Sequence, residues 1–222
     1  MKPTSLWTEV KMLLVRDIRL ELKQKYALNG LLLYVVSTVF VCYLSFKRLT
    51  DVPTWNALLW IILLFTAVNA ATKNFSSESR GRLLYYYTLA SARAVILSRM
   101  LYNCLLMLLI STMGYGIYSL LIGDLVNDKA YFFLGLLLGS MGFSGILTLV
   151  AAIASRTYNV TLMAILSFPV VIPMLLVLIR FSKNAVDGIA HSVQNTYIIG
   201  LLAINLVVAA LAWVLFPFLW KD

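Results

Sequence analysis

Histidine, cysteine and acidic side chains are scarce in this chain: 222 residues contain one histidine (His191), two cysteines (Cys42 and Cys104) and nine Asp or Glu against 18 Lys or Arg. A bis-imidazole haem site needs a second histidine, so His191 as a haem contact would need a ligand of another kind. The eight methionines are competent axial ligands, but in so apolar a chain they read more simply as core filler. No CxxC pair and no ligand cluster surrounds either cysteine, and both read as buried thiols. No Ser, His and Asp set points to hydrolysis and no metal-ligand cluster to redox chemistry, so the chain is expected to be non-catalytic. There is no GxxxxGK[ST] segment and hence no P-loop to cradle nucleotide phosphates; any ATP used is bound by a partner.

Apolar residues are abundant instead. At 62% hydrophobic content and a mean hydropathy of +0.91, the chain has far more apolar surface than a water-soluble domain of this length can bury, which makes it an integral membrane protein. Six stretches free of Asp, Glu, Lys and Arg (26–46, 52–72, 100–123, 130–155, 157–179 and 188–220) are each long enough to cross about 30 Å of hydrocarbon. The lack of ionisable side chains within them argues against a proton-coupled carrier or an ion pump. The net charge of +9 falls between the spans and forms no basic stripe with interleaved aromatics, so nucleic acid is not the expected partner. With six spans both termini share a side, and that side collects thirteen of the 18 Lys and Arg against five on the other, which places both termini in the cytoplasm. Trp55 and Trp220, near span ends, suit interfacial anchoring.

The expected fold is thus an all-α polytopic membrane protein. Residues 1–25 form a basic amphipathic helix with Leu6, Val10, Leu13, Leu14, Ile18 and Leu22 at helical spacing and Glu9, Arg16, Arg19 and Lys23 on other faces. It reads as a cytoplasmic interfacial helix against membrane lipid, either an anchor for the first span or a contact for a partner subunit. Residues 26–222 form the six-span domain. Between spans two and three, the connection 73–99 carries Lys73, Arg80, Arg82, Arg93 and Arg99, an unusual length and charge for a link between membrane segments. The segment after Gly81 is expected to form a coupling helix. In it Leu83, Leu84, Tyr86 and Tyr87 offer an apolar, aromatic surface to a separate ATPase, Arg80 and Arg82 pair with acidic groups there, and Glu78 and Ser76 cap the helix start. A solvated basic loop is the plainer alternative.

Gly135, Gly139, Gly142 and Gly145 make a small-residue ridge in the fourth span, suited to close helix packing or to a dimer seam. Pro169 and Pro173 in the fifth span should bend or break that helix, as a hinge or as prolines tolerated in a static bundle. Val186, Ile189, Ala190, Val193 and Tyr197 recur at helical spacing before the sixth span, so either a short outer helix or a lead-in to that span is expected.

In order and spacing, the basic start with RLELKQKYALN, the connection ESRGRLLYYYTLASARAVILSRMLYN, the FPVVIPMLL segment with Pro169 and Pro173, and the ending LFPFLWK with Pro217 resemble the CcmB family, related to type-2 ABC exporter permeases. The resemblance covers nearly the whole chain. It implies a multi-pass permease subunit of the bacterial inner membrane, dimeric within a complex for c-type cytochrome biogenesis. Its partners would be a cytoplasmic ATPase of the CcmA kind, a haem-handling CcmC-like subunit and a small CcmD-like subunit. It implies no cofactor bound directly, ATP acting through the partner, and haem as a species transported or handled. Because the chain has no ligand pair and no WGxxWxWD segment, mechanical release of a haem-loaded chaperone is favoured over haem carriage. The alternatives are a general type-2 exporter of lipid or drug, and a non-transporting membrane scaffold.

Overall fold

A computed structural model of the chain describes residues 5–24, 26–46, 50–76, 91–154 and 160–221. Among the described residues there are seven helices and no strand: α1 (Leu6–Gln24), α2 (Tyr26–Phe46), α3 (Val52–Ser76), α4 (Ala92–Ile122), α5 (Lys129–Ala154), α6 (Val160–Asp187) and α7 (His191–Lys221). The last six are each long and apolar enough to cross a membrane, giving the expected six-span, all-α architecture. The helices often overrun the charge-free stretches. α4 begins at Ala92, two turns before the apolar run that starts at Met100, and so carries Arg93 and Arg99 beyond its spanning part.

α5 is the central helix, packed against α3, α4, α6 and α7. Lipid tails are as apolar as leucine, so helices in a bilayer associate through close packing and hydrogen bonds, and small residues permit the closest approach. The four glycines of α5 are buried and point at its neighbours. A Cβ on Gly139 would stand 2.9 Å from Leu178 Cδ2 of α6 and 3.0 Å from the Trp60 ring of α3; one on Gly135 would stand 3.1 Å from the Phe181 ring. Gly142 faces Met174, and Gly145 faces Val208 of α7 and Met100 of α4. The ridge is therefore occupied by this chain's own helices, not by a second copy. α2 and α7 lie at the periphery, with Leu33, Phe40 and Leu44 on one and Ile199, Leu206 and Val214 on the other facing outward.

Several expectations need correction. α6 runs unbroken through Pro169 and Pro173, both of which lie on its exposed side. Prolines are tolerated in membrane helices where neighbouring groups or local adjustment satisfy the freed carbonyls. No separate outer helix precedes α7. Gly188, at φ 69°, ends α6 in a conformation only glycine adopts cheaply, so Val186 belongs to α6 while Val193 and Tyr197 belong to α7. Trp55 is not an interfacial anchor: it is fully buried in an aromatic cluster, because its indole N–H reaches Gly123 O at 2.9 Å. Trp220 lies where side chains are outside the described set. Cys42 and Cys104 are free and half-buried rather than buried.

Candidate coupling surface at the α1 end

α1 lies against the protruding start of α4. Its Val10 is 2% exposed, and its Leu13 packs on a small second core of Val95, Ile96, Leu149, Ala212 and Phe216. That core exists because α4 begins two turns early: Val95 and Ile96 emerge past the main bundle and need an apolar cover. The early part of the α1 stripe is consequently docked on protein, while Leu22 at its end is exposed.

Carboxylates secure this helix at both ends. Glu9 Oε2 accepts from the Ser91 backbone N–H at 3.0 Å and from Ser91 Oγ at 2.8 Å. Ser91 is itself the N-cap of α4, its Oγ accepting from the Ala94 amide at 3.3 Å. A carboxylate beside a helix N-terminus satisfies a donor that has no intrahelical partner and complements the positive end of the helix dipole. Toward the other end of α1, Glu21 Oε1 accepts from the Leu28 amide of α2 at 2.7 Å and Oε2 from Tyr102 Oη of α4 at 3.2 Å. Arg93 covers the Trp213 ring of α7, 5.0 Å from its centroid. The outer face of α1 is basic, with Lys11, Arg19 and Lys23 around Met12 and Val15 in an open groove of about 620 Å³. Arg16 pairs with Asp17 at 2.6 Å.

Glu78, Arg80, Arg82, Leu83, Leu84, Tyr86 and Tyr87 lie outside the described residues, within 77–90. What is described is the frame around them: α3 delivers the chain at Ser76, and α4 takes it up at the Ser91 cap that Glu9 holds.

The far end is closed differently. Asn56 Nδ2 donates to Ile179 O at 2.8 Å, Ser182 Oγ donates to Asn56 Oδ1 at 2.8 Å, and Trp60 Nε1 donates to Ser182 Oγ at 2.7 Å, all three side chains being buried. The α4–α5 link is stitched to the end of α6: the Asn127 side-chain amide donates to Val186 O at 2.7 Å and the Asp128 amide to Ala185 O at 3.0 Å. His191 is committed here, its Nε2 2.9 Å from Asp128 Oδ2 and its ring stacked on Tyr131 at 4.4 Å between centroids. The Tyr131 amide, with His191 behind it, holds the Asp128 carboxyl below the usual carboxylate range. Partial burial acts to raise Asp124, yet hydrogen bonds from the Val126 amide, Lys129 and Tyr115 leave it lowered as well.

Sequence reasoning passed over Glu9, Glu21, Ser91 and the Asn56, Trp60 and Ser182 set. Ser91 ahead of a helix-forming run is a legible cap, and Asn56 is a conspicuous amide in an apolar span. The Glu9 to Ser91 pairing crosses 82 positions and leaves no local signal.

Residues 8–217 match the family model described as CcmB protein. The chain belongs to the CcmB family. No curated protein and no solved structure matches it. The CcmB match takes in most of α1 along with all six spans, so the docked helix is part of the family's unit. CcmB chains are membrane permease subunits of the ABC haem exporter for cytochrome c maturation, and this one is a multi-pass membrane protein accordingly.

Proposed function

We propose that this CcmB-family chain sits in the bacterial inner membrane with its α1 end in the cytoplasm. There it receives a separate ATPase of the CcmA kind on the connection 77–90, and ATP closure drives release of a haem-loaded chaperone on the far side. The observation that carries the reading is the frame around that connection. The start of α4 protrudes past its apolar run, is capped by Ser91 and is braced by α1 through Glu9, which suits a lever better than a slack loop. The excess of Lys and Arg on the α1 side supports the orientation. In this reading Arg80 and Arg82 meet acidic groups of the ATPase, Leu83, Leu84, Tyr86 and Tyr87 fill its groove, and CcmC-like and CcmD-like subunits handle the haem. A homodimer presents two such levers, one to each ATPase copy. Pro169 and Pro173, which remove two amide donors from the unbroken α6, serve in this reading as a hinge by letting that helix bend.

The test has two parts. Covalent haem on c-type cytochromes is stained in membranes of cells lacking the gene, with and without a plasmid copy; loss and restoration are expected. Glu78→Ala with Arg82→Ala is expected to reduce ATPase co-purification while leaving membrane insertion intact, and undiminished co-purification would sink the lever assignment.

A further inference from the structure

α1 reads from sequence as an interfacial anchor or a partner contact. Its hydrogen bonds describe another part. Glu9 grips the N-cap of α4, which follows 77–90 in sequence, and Glu21 grips the first turn of α2 at the Leu28 amide. Glu9 and Glu21 are ~18 Å apart along one continuous helix. Val10, buried, and Leu13, packed on the second core, fix its rotation. We propose that α1 is a tie between the start of α4 and the start of α2, and that Glu9 and Glu21 are the positioning residues through which a displacement of Ser91 reaches the first span.

The chemistry favours transmission over mere attachment. Glu9 serves two donors of a single residue at a helix terminus, where a carboxylate is favoured by both hydrogen bonding and the helix dipole, so it follows that residue when it moves. An α-helix is stiff over three turns, so movement at Glu9 appears at Glu21. There the carboxylate divides between the Leu28 amide and Tyr102 Oη, so α2 and α4 are held by one group and shift together. The tie rests on the coupling reading above and adds to it a second route into the bundle, through α2, besides the direct one through α3 and α4.

The test uses the complete membrane complex with its ATPase, compared at equal amounts of this chain, and reads ATP turnover and covalent haem on c-type cytochromes side by side. Glu9→Ala is expected to leave the ATPase bound and turning over while covalent haem per ATP falls about tenfold, a change on the order of one lost charge-assisted hydrogen bond. Ser91→Asp keeps a good N-cap but sets a like charge against Glu9, and should fall similarly. Adding Glu9→Gln to Ser91→Asp replaces repulsion with an amide-to-carboxylate hydrogen bond and should restore most of the output. If haem and ATP turnover decline together in Glu9→Ala and Ser91→Asp, or if the double variant recovers nothing, α1 is a structural brace and the tie is wrong. If the unaltered complex retains no ATPase, the coupling reading itself fails and takes the tie with it.

Discussion

At the far end of the bundle the chain passes from α4 to α5 and from α6 to α7 through short links whose groups bond one another: Asn127 to Val186, the Asp128 amide to Ala185 O, the Asp128 carboxylate to His191. Behind those links lie Trp55, Tyr118 and Phe132, fully buried, with the Trp55 and Tyr118 rings meeting edge to face at 5.1 Å. At the α1 end a helix from the start of the sequence lies against the start of α4 and bonds α4 through Glu9 and both α2 and α4 through Glu21. Among the described residues, one end is sealed by hydrogen bonds packed around large buried rings of α3, α4 and α5. At the other, carboxylates of α1 reach out to α2 and α4. An end built the first way resists deformation; one built the second way passes motion from one helix to another.

The sharpest way to break this contrast is to hollow out the sealed end. Trp55→Ala removes a fully buried indole and its bond to Gly123 O, and is expected to cost about 3–5 kcal/mol, lowering the thermal midpoint of the detergent-purified chain strongly. A midpoint within a degree or two of the parent would mean that the aromatic cluster is not what closes that end.

Ser182→Val comes next. It strands the Trp60 N–H and Asn56 Oδ1 in an apolar surround and crowds a fully buried site with an extra methyl, for an expected loss of about 1–3 kcal/mol. The paired change of Asn56 and Ser182 to apolar residues should recover only the part due to the stranded Asn56 Oδ1, because the Trp60 N–H still lacks its acceptor. A smaller effect follows from acid. Asp124 and Asp128 are lowered in the folded chain, so their stabilisation is complete above the unfolded carboxylate value of about 4 and is lost as pH falls through the lower folded-state value. Midpoints should thus be level near neutrality and drop on strong acidification, and Asp128→Asn should flatten the drop. The least disturbance is expected at the α1 end. Arg93→Met removes only the contact over Trp213, worth about 0.5–1 kcal/mol, and should barely move the midpoint. A loss as large as that of Trp55→Ala would erase the distinction between the two ends.

Much of this was legible beforehand. The six spans follow from runs of apolar residues, since a backbone in hydrocarbon must satisfy its own hydrogen bonds and does so as helix. The glycine spacing in α5 announced close packing, though not which helices would fill it. Local periodicity misled in two places. The α1 stripe looked like a lipid-facing surface, but Val10 and Leu13 found apolar protein first, because α4 protrudes where sequence patterning ends its span. Residues 186–197 kept helical spacing across Gly188, whose positive φ divides them between two helices.

Composition and spacing alone therefore settle that this is an all-helical membrane protein of six spans with a basic amphipathic start, because burial of apolar surface and the positive-inside bias act on residues one at a time or within a single turn. Tertiary structure alone decides which side chains those helices hold. Glu9 meeting Ser91, Ser182 joining Asn56 to Trp60, and His191 closing on Asp128 and Tyr131 each require two or more segments to arrive at one point, and hydrogen bonds of about 3 Å depend on that arrival and not on any pattern along the chain.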